Sequence, residues 1–188
     1  VTGEAVCIDL LRHGEVMGGV RFRGSQDDPL TSEGWTSMLE AVERGGPWDG
    51  VISSPLSRCR AFAESWSRTR GLPLEIDARL REYHFGEWEG RGYGELLARS
   101  PLALARFRDD PLRHPPPGAE PLADFQARTL AVLEDLSHAR HQGRRWLVIT
   151  HGGVIRMLLC HQRRWPVARI PEIDVPYASL HRLRWTPP

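Results

Sequence analysis

An arginine beside a histidine at the end of an apolar run can hold and attack a phosphoryl group. In Leu11-Arg12-His13-Gly14-Glu15 the guanidinium offers paired donors and fixed positive charge, and the imidazole offers a nucleophile. A second apolar run ends in Thr150-His151-Gly152-Gly153, and Ser53-Ser54-Pro55-Leu56-Ser57-Arg58 brings a further arginine. If the strand ends converge, His13, His151, Arg12 and Arg58 surround one anion, with backbone N–H groups at Gly14 and Gly152 as additional donors. Two histidines with no carboxylate at helical ligand spacing make a poor metal site, so neither metal nor cofactor is expected.

The elements that must position these residues alternate between strand and helix patterns, which predicts an α/β fold. The expected architecture is a three-layer sandwich: a mostly parallel central sheet flanked by helices, with a small inserted cap. Val6–Leu11 reads as a buried strand, whose C-terminal end is where ligands bind in open α/β sheets. Thr31 reads as the N-cap of a helix running to about Arg44, stopped by Gly45-Gly46. Gly50–Ser53 reads as a strand, Ser57–Arg70 as a helix stopped by Gly71, and Leu74–Ile76 as another strand. Short helices are expected at Tyr93–Arg99 and Leu102–Arg108, then a proline-rich loop from Asp109 to Pro121. Leu122–Arg140 is the clearest amphipathic helix, with His138 and His141 suiting its negative end. Trp146–Thr150 is read as a strand, Val154–Cys160 as the opening of a helix and Ser179–Trp185 as a final strand. The whole chain, 1–188, is expected to be one domain, with about 82–121 as the cap.

Composition removes other chemistries. The chain has 188 residues, is 40% hydrophobic and carries a net charge of +1, which gives ample core and no global field towards nucleic acid or membrane. All 25 basic residues are arginine, and there is no lysine and no asparagine. A P-loop and a Schiff-base enzyme need the lysine; a Cys-His-Asn site and a glycosylation sequon need the asparagine. Cys7, Cys59 and Cys160 are far apart and odd in number, which suits thiols in a reducing compartment, and a cytoplasmic location is expected. No segment reaches the roughly 18 apolar residues of a membrane span. The expected partner is a small phosphorylated metabolite, with no nucleic acid and no membrane, and the expected state is a monomer or homodimer.

Four pieces in order carry a resemblance. They are Leu11-Arg12-His13-Gly14-Glu15, Ser53-Ser54-Pro55-Leu56-Ser57-Arg58, Leu80-Arg81-Glu82 with Phe85-Gly86-Glu87-Trp88-Glu89-Gly90, and Thr150-His151-Gly152-Gly153-Val154-Ile155-Arg156. The chain resembles the histidine phosphatase superfamily, also called the phosphoglycerate-mutase-like fold. The resemblance implies a phosphomonoesterase with His13 as nucleophile, forming a phosphohistidine. It implies Arg12 and Arg58 on the phosphate oxygens and His151 stabilising the transferring group as an imidazolium. Glu82 is the implied acid and then base, a role for which Glu87 and Glu89 compete; Arg60 is a rival to Arg58. Crowding by Arg12, Arg58 and His151 favours the neutral form of His13.

The family usually has an Asn shortly after its first motif; here the stretch is Val16-Met17-Gly18-Gly19. A backbone N–H of Gly18 or Gly19, or Arg21, Arg23 or Ser25, are the alternatives for that contact. Short length favours a phosphatase over a mutase, which must shield its phosphorylated intermediate from water. The stretches Gly18 to Gly24, Asp27 to Thr31, Tyr83 to Gly86 and Pro116 to Pro121 are similar to those of α-ribazole phosphatases. That similarity implies hydrolysis of α-ribazole 5′-phosphate in cobalamin nucleotide-loop assembly. An aromatic wall is then expected from Phe22, Tyr83, Phe85 and Trp88, with His84 and Glu120 as further substrate contacts. The alternatives are a broad phosphatase or mutase on small phosphorylated metabolites, and a non-catalytic module that binds phosphorylated ligands.

Overall fold

The computed structural model describes residues 6–137 and 143–185. Five strands form one sheet: β1 (Val6–Arg12), β2 (Gly50–Ser53), β3 (Leu74–Ile76), β4 (Arg145–Thr150) and β5 (Leu180–Trp185). Their order is β3-β2-β4-β1-β5. Neighbours run parallel except β5, which lies antiparallel on the edge beside β1.

Strand periodicity divides the core into two layers. Leu11, Val51, Leu147 and Ile149 pack with α1 (Ser32–Arg44) and α2 (Ser57–Arg70) on one face. Ile8, Leu10, Ile52, Trp146 and Val148 pack on the other face, against α5 (Leu122–Leu136) and α6 (Gly152–Gln162). The result is the expected three-layer α/β sandwich. Two short helices, α3 (Tyr93–Arg99) and α4 (Pro101–Asp109), sit on a separate small cluster of Trp88, Leu96 and Leu104 with Phe22, Phe85 and Phe107. The segment is tied to the loop after β1 by backbone bonds from Phe22 N to Arg91 O and from Gly90 N to Phe22 O.

Local signals set the helix ends. Thr31 caps α1 by accepting from Gly34 N–H at 2.9 Å, and Gly71 closes α2 in the left-handed conformation at φ 65°. Helix α6 starts earlier than expected, at Gly152, because β4 delivers the chain directly into it. The last turn expected of α5, with His138 and His141, lies outside the described residues. Three short 3-10 turns, at Ala78–Leu80, Gly86–Trp88 and Val167–Glu172, had no periodic signal to announce them. Among the described residues no helix is long and apolar enough to cross a membrane.

Candidate active site

Register does the first work of assembly. Arg12 pairs with Thr150 across β1 and β4, and Ser53 pairs with Ile149 across β2 and β4. The residues after these strands, His13, Ser54 and His151, therefore emerge side by side. His13 N–H bonds Thr150 O at 3.0 Å and Ser54 N–H bonds Ile149 O at 3.0 Å, extending the ladder to the site. The His13 and His151 rings lie 5.2 Å apart, edge to face.

His13 is 5% exposed, and its Nδ1 lies 2.8 Å from Gly14 O. A carbonyl only accepts, so Nδ1 carries the ring proton and Nε2 keeps its lone pair. Burial, then the charges of Arg58, Arg12 and Arg23, hold this imidazole's pKa well below its ordinary value. The lowered pKa and the Nδ1 contact both favour a neutral ring whose Nε2 lone pair is uncommitted.

Arg58 is 1% exposed and spends three of its five N–H donors within the protein. Its Nη1 and Nη2 donate to the carbonyls of Gln26 (2.7 Å) and Gly24 (2.9 Å), and its Nε donates to His151 Nδ1 (3.2 Å). His151 Nδ1 is therefore unprotonated, and its Nε2 lies 2.7 Å from Ser54 Oγ. Burial first and Arg58 second lower the pKa of His151 well below the ordinary value. In the free protein burial and the guanidinium facing its ring nitrogen disfavour the imidazolium, the form expected of His151 when a phosphoryl group is being transferred. Cys59 packs beneath the ring with Sγ 3.5 Å from Thr150 O, and burial raises its pKa, so it is an inert thiol. The rival Arg60 pairs with Glu64 on the exposed side of α2.

Arg12 donates Nη1 to Val175 O at 2.5 Å and stacks 4.1 Å over Tyr177. Its Nε is buried and has no hydrogen-bond partner among the described residues, which fits a donor reserved for an anion. Glu82 is half-buried, and its carboxylate accepts from Tyr83 N–H (2.9 Å) and from Gly153 N–H (3.0 Å) at the start of α6. Glu89 instead accepts from the backbone and hydroxyl of Ser25.

A cavity of about 190 Å³ joins these groups, lined by Arg12, His13, Arg58, Glu82 and Gly152. Arg21 and Arg23 line it too, so of the alternatives for the missing Asn these two face the cavity. Arg23 is anchored by Asp28 (2.8 Å) and Met17 O (2.6 Å), and Arg21 by Gly18 O (2.7 Å). Several expected contacts fall elsewhere. Ser25 turns to Glu89, and Gly19 sits on an exposed turn outside the cavity lining. His84 is exposed and lies beside Glu89, at 3.7 Å. Glu120 is consumed by an ion pair with Arg128, at 2.6 Å. Gly14 contributes its carbonyl, and its missing Cβ lets α1 pass: a Cβ there would meet Gly34 O at 2.1 Å. Arg156 and Tyr177 line the cavity although sequence reasoning assigned them no contact. Arg156 had a signal, lying four residues after Gly152 and thus one turn along α6; Tyr177, in an irregular loop, had none.

A second cavity of about 290 Å³ adjoins the first, and both are lined by Phe22, Phe85, Gly153 and Arg156. Tyr83, Phe107 and Phe125 add aromatic wall, and Pro111, Leu122, Ile170 and Pro171 add aliphatic wall. Trp88 does not reach it; it packs behind, on Phe22 and Phe107. Among the described residues no group of three or more His, Cys, Asp and Glu is placed to hold a metal ion.

The chain is 30% identical over 188 residues to a glucosyl-3-phosphoglycerate phosphatase of Mycobacterium tuberculosis, covering 94% of this chain and 82% of that one. It is 28% identical over 165 residues to an adenosylcobalamin/alpha-ribazole phosphatase of Salmonella typhimurium, covering 86% and 81%. Among solved structures, a mycobacterial glucosyl-3-phosphoglycerate phosphatase superposes with a TM-score of 0.84 at 29% identity, covering 96% of this chain and 91% of that one. Bacillus stearothermophilus YhfR superposes with a TM-score of 0.86 at 30% identity, covering 95% and 90%. Residues 8–188 match the histidine phosphatase superfamily, branch 1. Together with the buried His-Arg constellation at the strand ends, these matches place the chain in that superfamily, as a phosphoric monoester hydrolase.

Proposed function

We propose that His13 is the nucleophile of a phosphohistidine mechanism and that the natural substrate is α-ribazole 5′-phosphate. The observation that carries the chemistry is the free Nε2 of a neutral, buried His13 beside two guanidinium groups. Arg12 and Arg58 hold the phosphate dianion, and His13 Nε2 attacks phosphorus in line with the leaving oxygen. The P–O ester bond breaks as Glu82 gives that oxygen its proton. Water then attacks the phosphohistidine, Glu82 takes the water's proton, and phosphate leaves with His13 regenerated. In the free site His151 Nδ1 accepts from Arg58 Nε; an arriving dianion that draws this donor to itself frees Nδ1 for protonation, giving the imidazolium. Residues 82–121 act as the cap of a single domain spanning 1–188, with Phe22 and Phe85 as its seam to the phosphate site.

The aromatic chamber beside the phosphate cavity supports the substrate reading, because a benzimidazole nucleoside gains from burial against Phe85, Tyr83 and Phe125. A second reading is glucosyl-3-phosphoglycerate, favoured by the mycobacterial relatives' identity along the chain and by Arg156 at the junction of the cavities. Quenched reactions with labelled substrate test the chemistry: an acid-labile label is expected on His13, and His13→Ala should lose it together with turnover. Normal turnover by that variant would overturn the mechanism. For substrate, kcat/KM on α-ribazole 5′-phosphate should exceed that on glucosyl-3-phosphoglycerate by about tenfold or more, as one extra buried ring contact of about 1.4 kcal/mol supplies. The reverse ranking would establish the second reading.

A further inference from the structure

Arg128, on α5, stands outside both cavities, yet its guanidinium is the most fully engaged in the neighbourhood. Nη1 donates to the carbonyls of Arg79 (2.5 Å) and Arg81 (2.7 Å). Nη2 donates to the carbonyl of Glu82 (3.0 Å) and to Glu120 Oε2 (2.9 Å), and Nε donates to Glu120 Oε1 (2.6 Å). A guanidinium has five N–H donors in a fixed plane, and here each has an acceptor. Three of the five are carbonyls of the turn that presents Glu82. Glu120 fixes the fork and also brackets the turn, bonding its N–H to His84 O at 3.0 Å.

The two ends of Glu82 are thus held by different helices. Its carboxylate is fixed by Gly153 N–H on α6, and its carbonyl by Arg128 on α5. A turn that needed only satisfied carbonyls would find water, because its surface is partly open. Converging three carbonyls on one planar cation instead sets the curvature of the turn, and with it the depth of the residue it carries.

We propose that Arg128, fixed by Glu120, is a positioning residue that sets where Glu82 meets the leaving oxygen. This rests on the reading of Glu82 as general acid. The diagnostic is leaving-group dependence. An alkoxide needs a proton as it departs, whereas p-nitrophenolate does not. A structural defect slows both classes of substrate alike; a misplaced acid slows only the first.

The experiment measures phosphoenzyme formation in single turnovers with ethyl phosphate and with p-nitrophenyl phosphate. Glu82→Gln should slow ethyl phosphate by about 10²–10⁴-fold, the usual contribution of a general acid, and change p-nitrophenyl phosphate by less than about fivefold. Arg128→Lys, which keeps the charge and loses the fork, should show the same selectivity at about 10²-fold, the cost of roughly 1 Å of misplacement. Glu120→Gln should follow in the same direction more weakly, and it provides the comparison if Arg128→Lys does not fold. Guanidinium ion added to Arg128→Ala should restore ethyl phosphate turnover selectively. If Glu82→Gln is selective and the Arg128 and Glu120 variants slow both substrates equally or neither, the positioning role is wrong. If Glu82→Gln is itself unselective, Glu82 is not the acid and the inference falls with that reading.

Discussion

At the scale of single residues, the site is prepared by what it does to two imidazoles. Both His13 and His151 are buried among arginines, and both bind a proton more weakly than a free side chain does. Between their depressed values and the ordinary one of about 6.5, the unfolded chain takes up more protons than the folded chain. Stability is therefore fully present above that window and falls as pH drops through it, by up to about 1.4 kcal/mol per pH unit for each ring. Urea midpoints at about pH 7.5 and 5.5 should fall for the wild type, and fall less for His13→Gln, which has no ring to protonate. Ring proton resonances should stay at their neutral positions through about pH 6.5. An imidazole that titrates at its ordinary value would remove the neutral ring that the proposed attack requires. His13, Arg12, Arg58 and His151 were legible because each stands in a contiguous motif at a strand end. Tyr177 and Arg128 were not, because each acts on residues far along the chain: Tyr177 under Arg12, Arg128 on the turn at Arg79 to Glu82. Ser25, His84 and Glu120 were over-read for the opposite reason, since a polar residue near a motif has local partners that spacing does not reveal.

At the scale of elements, the site depends on how closely α1 passes β1's exit. Gly14 and Gly34 face one another, and a Cβ on Gly34 would meet Glu15 O at 2.2 Å. Backbone atoms cannot swing aside as a side chain can, so the helix must move. Gly34→Ala should cost about 1–3 kcal/mol, the range for overpacking a close contact, and should lower activity by shifting Gly14 O away from His13 Nδ1. Denaturant titration with a parallel assay checks both parts; an unchanged midpoint would show that α1 relaxes freely. The N-cap at Thr31 gives a smaller effect, with Thr31→Ala losing about 1 kcal/mol through the orphaned Gly34 N–H. Helix and strand positions were read closely from sequence because capping residues and alternation are local. The 3-10 turn at Ala78–Leu80, which leads into Glu82, was not, since it is held from outside: Thr150 Oγ1 donates to Leu80 O at 2.8 Å.

At the scale of the whole molecule, two cores with different duties meet beside the two cavities. The sheet and its four large helices bury the main clusters and carry the phosphate site, whereas α3 and α4 rest on the small cluster around Trp88, Leu96 and Leu104. Phe85 packs against both the main core and the small one, and with Phe22 it forms the wall between the cavities. A small cluster opens at less free energy than the sheet does, so this segment should unfold locally first. Trp88→Ala removes the largest side chain of that cluster, whose aromatic partners are Phe22 and Phe107. In hydrogen exchange, amides of α3 and α4 should exchange about tenfold or more faster in this variant, while β1 and β4 keep their protection, since about 1.4 kcal/mol of local stability is a factor of ten. Turnover should divide in the same way. The KM for a phosphate ester with an aromatic alcohol rises, because Phe22 and Phe85 lose their backing, while ethyl phosphate, which fills only the phosphate cavity, keeps its kcat/KM. Equal losses on both substrates would mean that the small cluster supports the phosphate site itself, and that the two cores open together.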